Sequence, residues 1–414
     1  MSAVLRRLAV VATAVLAVAA VLAVAAGAAV AEADGTPFRR GVSVQAFTFP
    51  AVVGGRYAAD AYPGADETAA RFDIAGLRGL GLDHVRLPVD VGPLLDDPDG
   101  RRRRALLDAI GPLIGRLHAD GLGVIVTLVA PGLGGALPED NLDGPEGPRF
   151  RRYATIAEAL ARALDNLADA PLALEPMNEP QRACVRADGP DWAIHQPILL
   201  QRLRAAAPRL WLGVTGGCWS KVEGLESVDA ALLRDPRTFL SVHFYDPFLF
   251  THQGTDWALD IMPLVSGLPY PPRAEQVPEA LATARDKARR AAWPEDVRRE
   301  RLARAEASLR YYLTTDPRPA LRDTFADLRG RASRLGIPAG RIVVTEFGAT
   351  RTPDRDVSRA RWLHDVSGMI SAEGWGWTLW VLREGPFGLD GPNSRLDRTL
   401  LQALGLRAPA GSFP

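Results

Sequence analysis

Eight short apolar runs punctuate this chain, and most are followed by a segment whose apolar residues recur at helical spacing. The runs are Gly41–Ala46, His84–Leu87, Gly123–Leu128, Leu172–Met177, Leu210–Thr215, Phe239–Phe244, Ile342–Thr345 and Gly376–Trp380. Several are apolar at consecutive positions, as expected of strands buried on both faces. Helices are expected over Ala65–Leu80, Arg103–Asp120, Tyr153–Leu167, Pro197–Ala206, Pro319–Leu335, Ser358–Ala372 and Arg398–Leu404. Pro319 falls in a first turn, where its missing N–H costs nothing. Glycines such as Gly79, Gly81 and Gly121 stand between helix and next strand, where a left-handed C-cap is cheap. Strand and helix in regular alternation mean parallel βα units. Eight of them predict an α/β protein of the (β/α)8 barrel type, whose functional residues sit at the C-terminal strand ends. A doubly wound open sheet competes, but no Gly-x-Gly-x-x-Gly turn follows the first strand.

One connection breaks the rhythm. Between the sixth strand and the helix before the seventh lies an insertion over about 247–318, against a usual loop of about 4–6 residues. Its first part is aromatic and irregular, with Phe248, Phe250, Trp257 and Leu268-Pro269-Tyr270-Pro271-Pro272. After Trp293-Pro294, apolar Val297, Leu302, Ala305, Leu309, Tyr312 and Leu313 lie close to one helical face, opposite arginines and glutamates. A βα loop leaves the barrel at its C-terminal face. The segment from Phe248 to Tyr270 is therefore expected to wall one side of a cleft, with Trp257 as its substrate contact. The helical part clamps that wall to the barrel.

The N-terminus reads as a targeting segment. Arg6 and Arg7 precede an almost continuous apolar stretch from Leu8 to Val30, and Ala29-Val30-Ala31 fits a small-x-small cleavage site. Residues 1–31 are thus expected to be a signal peptide or an uncleaved N-terminal anchor, since the stretch is long enough to span a bilayer. Residues 32–414 form the expected barrel domain. The protein is expected to be secreted or periplasmic, with a membrane association only if the leader stays on.

Composition narrows the partners. The 414 residues carry 49 basic and 49 acidic side chains, a formal net charge of zero. No basic field draws nucleic acid, and none is expected as a partner. With two cysteines, six histidines, no His-Glu-x-x-His and no Cys-x-x-Cys, neither a metal site nor a cofactor is expected. No Gly-x-Ser-x-Gly elbow is present. Cys184 and Cys218 lie in loops after adjacent strands at the same face. In an oxidising compartment they are expected to pair as a disulfide. The chain is expected to act as a monomer.

Two runs end abruptly on glutamate: Leu172-Ala173-Leu174-Glu175-Pro176-Met177-Asn178-Glu179-Pro180 and Ile342-Val343-Val344-Thr345-Glu346-Phe347-Gly348. Carboxylates held at two strand ends suit glycoside hydrolysis, with one protonated as acid and the other ionised as nucleophile or base. Other strand ends add sugar-binding chemistry. Arg86, in Val85-Arg86-Leu87-Pro88, can orient a carboxylate. Asn178 suits a sugar 2-hydroxyl. His243 and Tyr245 flank Phe244 and share a face by strand alternation. In Trp375-Gly376-Trp377-Thr378-Leu379-Trp380, alternation sends Trp375 and Trp377 towards the helices and leaves Trp380 as a sugar platform. Trp219, after the fifth strand, is a second platform.

This ordered set resembles glycoside hydrolase family 5, the cellulase-type family of retaining (β/α)8 enzymes. The matching pieces are Arg40-Gly41-Val42, Val85-Arg86-Leu87-Pro88, Asn178-Glu179-Pro180, His243-Phe244-Tyr245, Thr345-Glu346-Phe347-Gly348 and Trp380, with Leu400-Leu401-Gln402-Ala403-Leu404-Gly405-Leu406 near the end. The resemblance implies Glu179 as acid/base and Glu346 as nucleophile. It also implies that Arg86, Asn178, His243, Tyr245 and Trp380 line the subsite of the attacked sugar. The implied substrate is a β-linked glucan or related polysaccharide. One piece departs from the family pattern: the third strand reads Val124-Ile125-Val126-Thr127-Leu128-Val129-Ala130-Pro131, without the family's usual histidine. Two other readings stay open, a non-catalytic carbohydrate-binding barrel and a transglycosylase in polysaccharide biosynthesis.

Overall fold

The structure, a computed structural model, describes residues 35–95, 97, 99–130, 143–180, 192–351, 356–391 and 395–408. Eight parallel strands close on themselves: β1 (Arg40–Ser43), β2 (His84–Asp90), β3 (Gly123–Val129), β4 (Leu172–Glu175), β5 (Trp211–Val214), β6 (Thr238–Phe244), β7 (Ile342–Phe347) and β8 (Gly376–Leu379). Each pairs with its chain neighbours, and β1 closes the ring between β8 and β2. The predicted (β/α)8 barrel is what forms. Every strand falls on an expected apolar run, with ends moved by a few residues.

Around the ring stand α1 (Ala65–Phe72), α2 (Arg101–Ala119), α3 (Pro148–Asp165), α4 (Trp192–Ala206), α5 (Val277–Arg290), α6 (Glu295–Thr314), α7 (Arg318–Arg334), α8 (Val357–Ala372) and α9 (Arg398–Ala403). Three differ from the sequence reading by five residues or more. α3 begins at Pro148, not Tyr153, with the proline in its first turn. The expected helix Ala65–Leu80 stops at Phe72, where Asp73 turns left-handed at φ 48°, and only a 3-10 turn at Leu77–Leu80 follows. Asp tolerates that conformation better than most residues, so the chain can reverse there. α4 begins at Trp192, not Pro197, because its first turns are tied to the barrel. Trp192 Nε1 and Gln196 Nε2 both donate to the Thr215 carbonyl, at 3.0 and 2.9 Å.

The barrel interior is layered. At its N-terminal end, Phe38, Ile125, Ala173, Phe239 and Val343 form an apolar plug. Two residues further along the same strands the character changes to polar, with Thr127, Glu175, Ser241 and Thr345 all buried. Period-two alternation carries both layers on inward-facing positions. On the outer face, Trp375 and Trp377 are buried among the helices as expected, and Trp375 packs on Phe325 of α7.

The insertion after β6 carries α5 and α6. Ala305, Leu309, Tyr312 and Leu313 of α6 are buried, and the Tyr312 hydroxyl donates to the Pro269 carbonyl at 2.7 Å. The Tyr270 hydroxyl reaches Asp365 on α8 at 3.0 Å. The helical part thus fastens the preceding irregular stretch to the barrel.

Candidate active site

At the C-terminal mouth, one arginine gathers three strands. Arg86 on β2 has no solvent exposure. Its Nε donates to Glu175 Oε2 at 2.7 Å, Nη1 to Glu346 Oε1 at 2.5 Å and Nη2 to Asn178 Oδ1 at 2.8 Å. Burial of a guanidinium is costly unless fully paired. Here the two carboxylates outweigh that cost and hold its pKa above the ordinary value. Asn178 gives its side-chain oxygen to Arg86, which leaves its amide nitrogen to donate elsewhere.

Glu346 owes its direction to an irregularity in β7. Val344 pairs with Val242 of β6, but the next partner of β6, His243, pairs with Glu346, so Thr345 is an extra residue. A bulge of this kind re-aims side chains. Thr345 Oγ1 lies 2.7 Å from Ser241 Oγ, while Glu346 meets Arg86 and accepts from the Tyr245 hydroxyl at 2.9 Å. The glycine of Thr345-Glu346-Phe347-Gly348 has its own reason. A Cβ on Gly348 would sit 2.3 Å from the Trp380 carbonyl oxygen, so only glycine lets the two strand ends approach.

Glu179 adopts a left-handed backbone at φ 45°. A non-glycine residue there is strained by roughly 1–2 kcal/mol and is held by its surroundings. Asn178 N–H donates to the Leu128 carbonyl on β3 at 2.8 Å, and Trp219 N–H donates to the Pro180 carbonyl at 2.8 Å. Glu179 Oε1 lies 2.8 Å from His243 Nδ1, which is itself 3.5 Å from Glu346 Oε2. Side-chain atoms of Glu179, His243 and Glu346 all fall within 4.8 Å of one another. Burial works against a charged His243, but Glu346 and the hydrogen bond to Glu179 outweigh it and raise its pKa above 6.5. Burial beside Glu346 and Glu179 pushes the Tyr245 phenol well up, so it stays a donor.

The aromatic residues frame this centre. Trp380 follows β8 and is half-buried. Trp219 is 46% exposed, on a turn where Cys218, Trp219 and Ser220 are all left-handed. Trp257 is 61% exposed, and its ring packs against His252 and Phe387 at 5.5 and 6.4 Å. Phe387 in turn packs on Tyr245 at 6.0 Å. Trp257 therefore belongs to the same aromatic wall as Tyr245, beside a cavity of about 380 Å³ that it lines with Asp256 and Arg351. Cys218 lies beside Trp219, whereas Cys184 and the leader lie outside the described residues.

The structure thus brings Arg86, Asn178, Glu179, His243, Tyr245 and Glu346 to one centre. Trp219, Trp257 and Trp380 stand around it. Sequence reasoning missed two participants. Glu175 is a third carboxylate of this centre, buried beneath the other two, and its only signal was a charge inside an otherwise apolar run. Lys221 is the other: its ammonium lies 5.8 Å from the Trp219 ring and 5.7 Å from the Phe248 ring, joining the loops after β5 and β6. No sequence pattern marked it.

A closed parallel barrel with two carboxylates facing each other across a histidine at its C-terminal mouth defines a class of sugar-handling (β/α)8 proteins. The chain belongs to glycosyl hydrolase family 5, the cellulase family, whose model matches residues 62–385. It is 26% identical over 210 residues to endoglucanase C of Acetivibrio thermocellus, covering 50% of this chain and 59% of that protein. It is 25% identical over 193 residues to cellodextrinase A of Ruminococcus flavefaciens, covering 46% of this chain and 55% of that protein. The match thus spans less than two thirds of these relatives. Among solved structures, Thermotoga maritima Cel5A in complex with mannotriose superposes with a TM-score of 0.61 at 18% identity, covering 90% of this chain and 99% of that one. The cellulose synthase subunit Z of Clostridioides difficile gives a TM-score of 0.61 at 17% identity, covering 89% and 99%. At such identities these neighbours speak for the fold.

Proposed function

We propose that the protein is an exported retaining glycosidase that cleaves O-glycosidic bonds in a β-linked glucan or related polysaccharide. The observation that carries this reading is the closeness of the two carboxylates. Oxygens of Glu179 and Glu346 approach within 4.8 Å. Nearest oxygens this close suit a retaining pair, with carboxyl groups about 5–5.5 Å apart, better than an inverting pair at about 6.5–9.5 Å.

In this mechanism protonated Glu179 gives its proton to the leaving glycosidic oxygen as Glu346 attacks the anomeric carbon. The C–O bond to the leaving sugar breaks, and an ester to Glu346 forms. Glu179, now a carboxylate, takes a proton from water, which attacks the same carbon and releases Glu346. Arg86 and Tyr245 aim Glu346 through one hydrogen bond to each of its oxygens. His243 holds Glu179 through its Nδ1. Asn178 offers its amide to the sugar 2-hydroxyl, a contact that strengthens in the transition state. Trp380, Trp219 and Trp257 offer apolar faces to pyranose rings.

The names of the relatives, an endoglucanase and a cellodextrinase, favour a β-glucan, and the mannotriose bound to a structural neighbour makes mannans worth testing. Export is supported by the apolar leader. A disulfide between Cys184 and Cys218 is supported by the absence of any free cysteine among the described residues. The test is hydrolysis of a panel of β-glucans and mannans, with Glu179→Ala as control, and the anomeric configuration of the first product followed by NMR. Retained configuration with loss in the variant supports the proposal. An inverted product, or activity independent of Glu179, overturns it. Product analysis at high sugar concentration shows whether the intermediate passes to water or to a second sugar.

A further inference from the structure

We infer that Glu175 is a positioning residue: a buried counter-charge that sets how Arg86 holds Glu346, and so sets the working pH range of the site. This rests on the reading of Glu346 as nucleophile and deepens it. Glu175 is 4% exposed and sits in β4, one layer beneath the mouth, where substrate does not reach it.

The geometry gives the reason. A guanidinium is planar and rigid, so the directions of its N–H groups are fixed relative to one another. Glu175 anchors Nε. With that bond set, the fork directs Nη1 to Glu346 and Nη2 to Asn178, and the three contacts together fix its plane. Glu175 is itself pinned from two other strands. The Thr127 hydroxyl of β3 donates to its Oε2, and the Ser241 hydroxyl of β6 donates to its Oε1 at 2.5 Å. Room for it is made on β5, where a Cβ on Gly213 would lie 2.8 Å from Glu175 Cγ. Four strands therefore contribute to placing one carboxylate that touches no substrate.

Charge gives the second half. Two carboxylates share one cation, so neither is fully neutralised by it. Burial alone would favour a neutral Glu175, but Arg86 and the Ser241 and Thr127 hydroxyls outweigh it and hold it ionised. If the Glu175 charge were removed, Arg86 would answer to Glu346 alone. A nucleophile bound more tightly as a carboxylate attacks more slowly, and one buried negative charge fewer makes nearby protons easier to lose.

The test is Glu175→Gln, which keeps the shape and an oxygen for Arg86 Nε. A folded variant is expected to show kcat lowered about 10- to 100-fold, the size of losing part of a charge-assisted contact. KM should stay within about two-fold, and the pH profile of kcat/KM should move to lower pH by about one unit. The loss should be equal on an aryl glycoside with a good leaving group, because the effect acts through the nucleophile. Wild-type kcat, or a loss with the wild-type pH profile, overturns the inference and leaves Glu175 as filler. Should the variant not fold, Glu175→Asp keeps the charge but draws it back from Arg86. A lowered kcat at the wild-type pH optimum then supports the inference, and an unchanged kcat overturns it. Glu346→Gln, run beside them, keeps the two readings apart: if it remains active, the nucleophile assignment fails, whatever Glu175 does.

Discussion

The Tyr245 hydroxyl stands 2.9 Å from Glu346 Oε2, on the side of the carboxylate opposite the one Arg86 takes. Each oxygen of Glu346 thus has its own donor, from β2 and from the end of β6. A hydrogen bond to a charged group is worth about 1.5–3 kcal/mol. Tyr245→Phe is expected to lower kcat about 10- to 100-fold while the melting temperature stays close to wild type. Steady-state kinetics on a soluble β-glucan oligosaccharide checks this. An unchanged kcat would remove Tyr245 from the site's chemistry.

Glu346→Gln keeps the volume and one acceptor oxygen but removes the attacking charge. Turnover is expected to fall by at least about 10³-fold. Oligosaccharide affinity, read by calorimetry, should change only a few-fold, since the sugar contacts come from other side chains. Equal loss of affinity and turnover would point instead to a binding role for Glu346.

Trp257 is exposed on the wall that runs through Phe387 to Tyr245. Trp257→Ala is expected to raise KM for long oligosaccharides several-fold, as losing one stacked ring does, and to leave short ones unaffected. Identical product patterns and KM on long substrates would show that the insertion only pads the barrel.

Asp90, at the end of β2, is buried, and its Oδ1 accepts from the Gly92 N–H at 2.7 Å. Burial raises its pKa from 3.8 to about 6, against the opposite pull of that N–H. A carboxyl raised on folding favours the folded state when protonated. Its contribution is full below about pH 4 and is lost as pH climbs through about 6. Asp90→Asn keeps the acceptor without the charge. It is expected to add about 1–3 kcal/mol of stability at pH 7.5 and to flatten the dependence of melting temperature on pH between about 4 and 6. A variant no more stable than wild type at pH 7.5 contradicts this.

The proposed Cys184–Cys218 bridge would tie the loop after Glu179 to the turn carrying Trp219. Thiol titration of the denatured, unreduced protein is expected to find none. Two titrating thiols would show the cysteines to be independent.

Much of this was legible in the chain itself. Strand and helix follow from local periodicity, and a run such as Val343-Val344 or Ile125-Val126 carries that information in a few residues. The strand-end positions of Glu179, His243 and Glu346 were readable for the same reason. So was the outward packing of Trp375 and Trp377, which needs only alternation. Family-like motifs then ordered these residues into one site.

Other features depended on contacts between distant parts of the chain. That Thr345 is an extra residue against β6, turning Glu346 inward, follows from strand register, which no single strand contains. The left-handed backbone of Glu179 is held from β3 and from the turn after β5. Glu175 looked like a stray charge in an apolar run until barrel closure put Arg86, Thr127, Ser241 and Gly213 around it. The sequence by itself determined the strands, their order and which of them end in acid, because hydrophobic periodicity is local. Only the tertiary structure decided which charges face one another, because that is fixed by the register and closure of eight strands together.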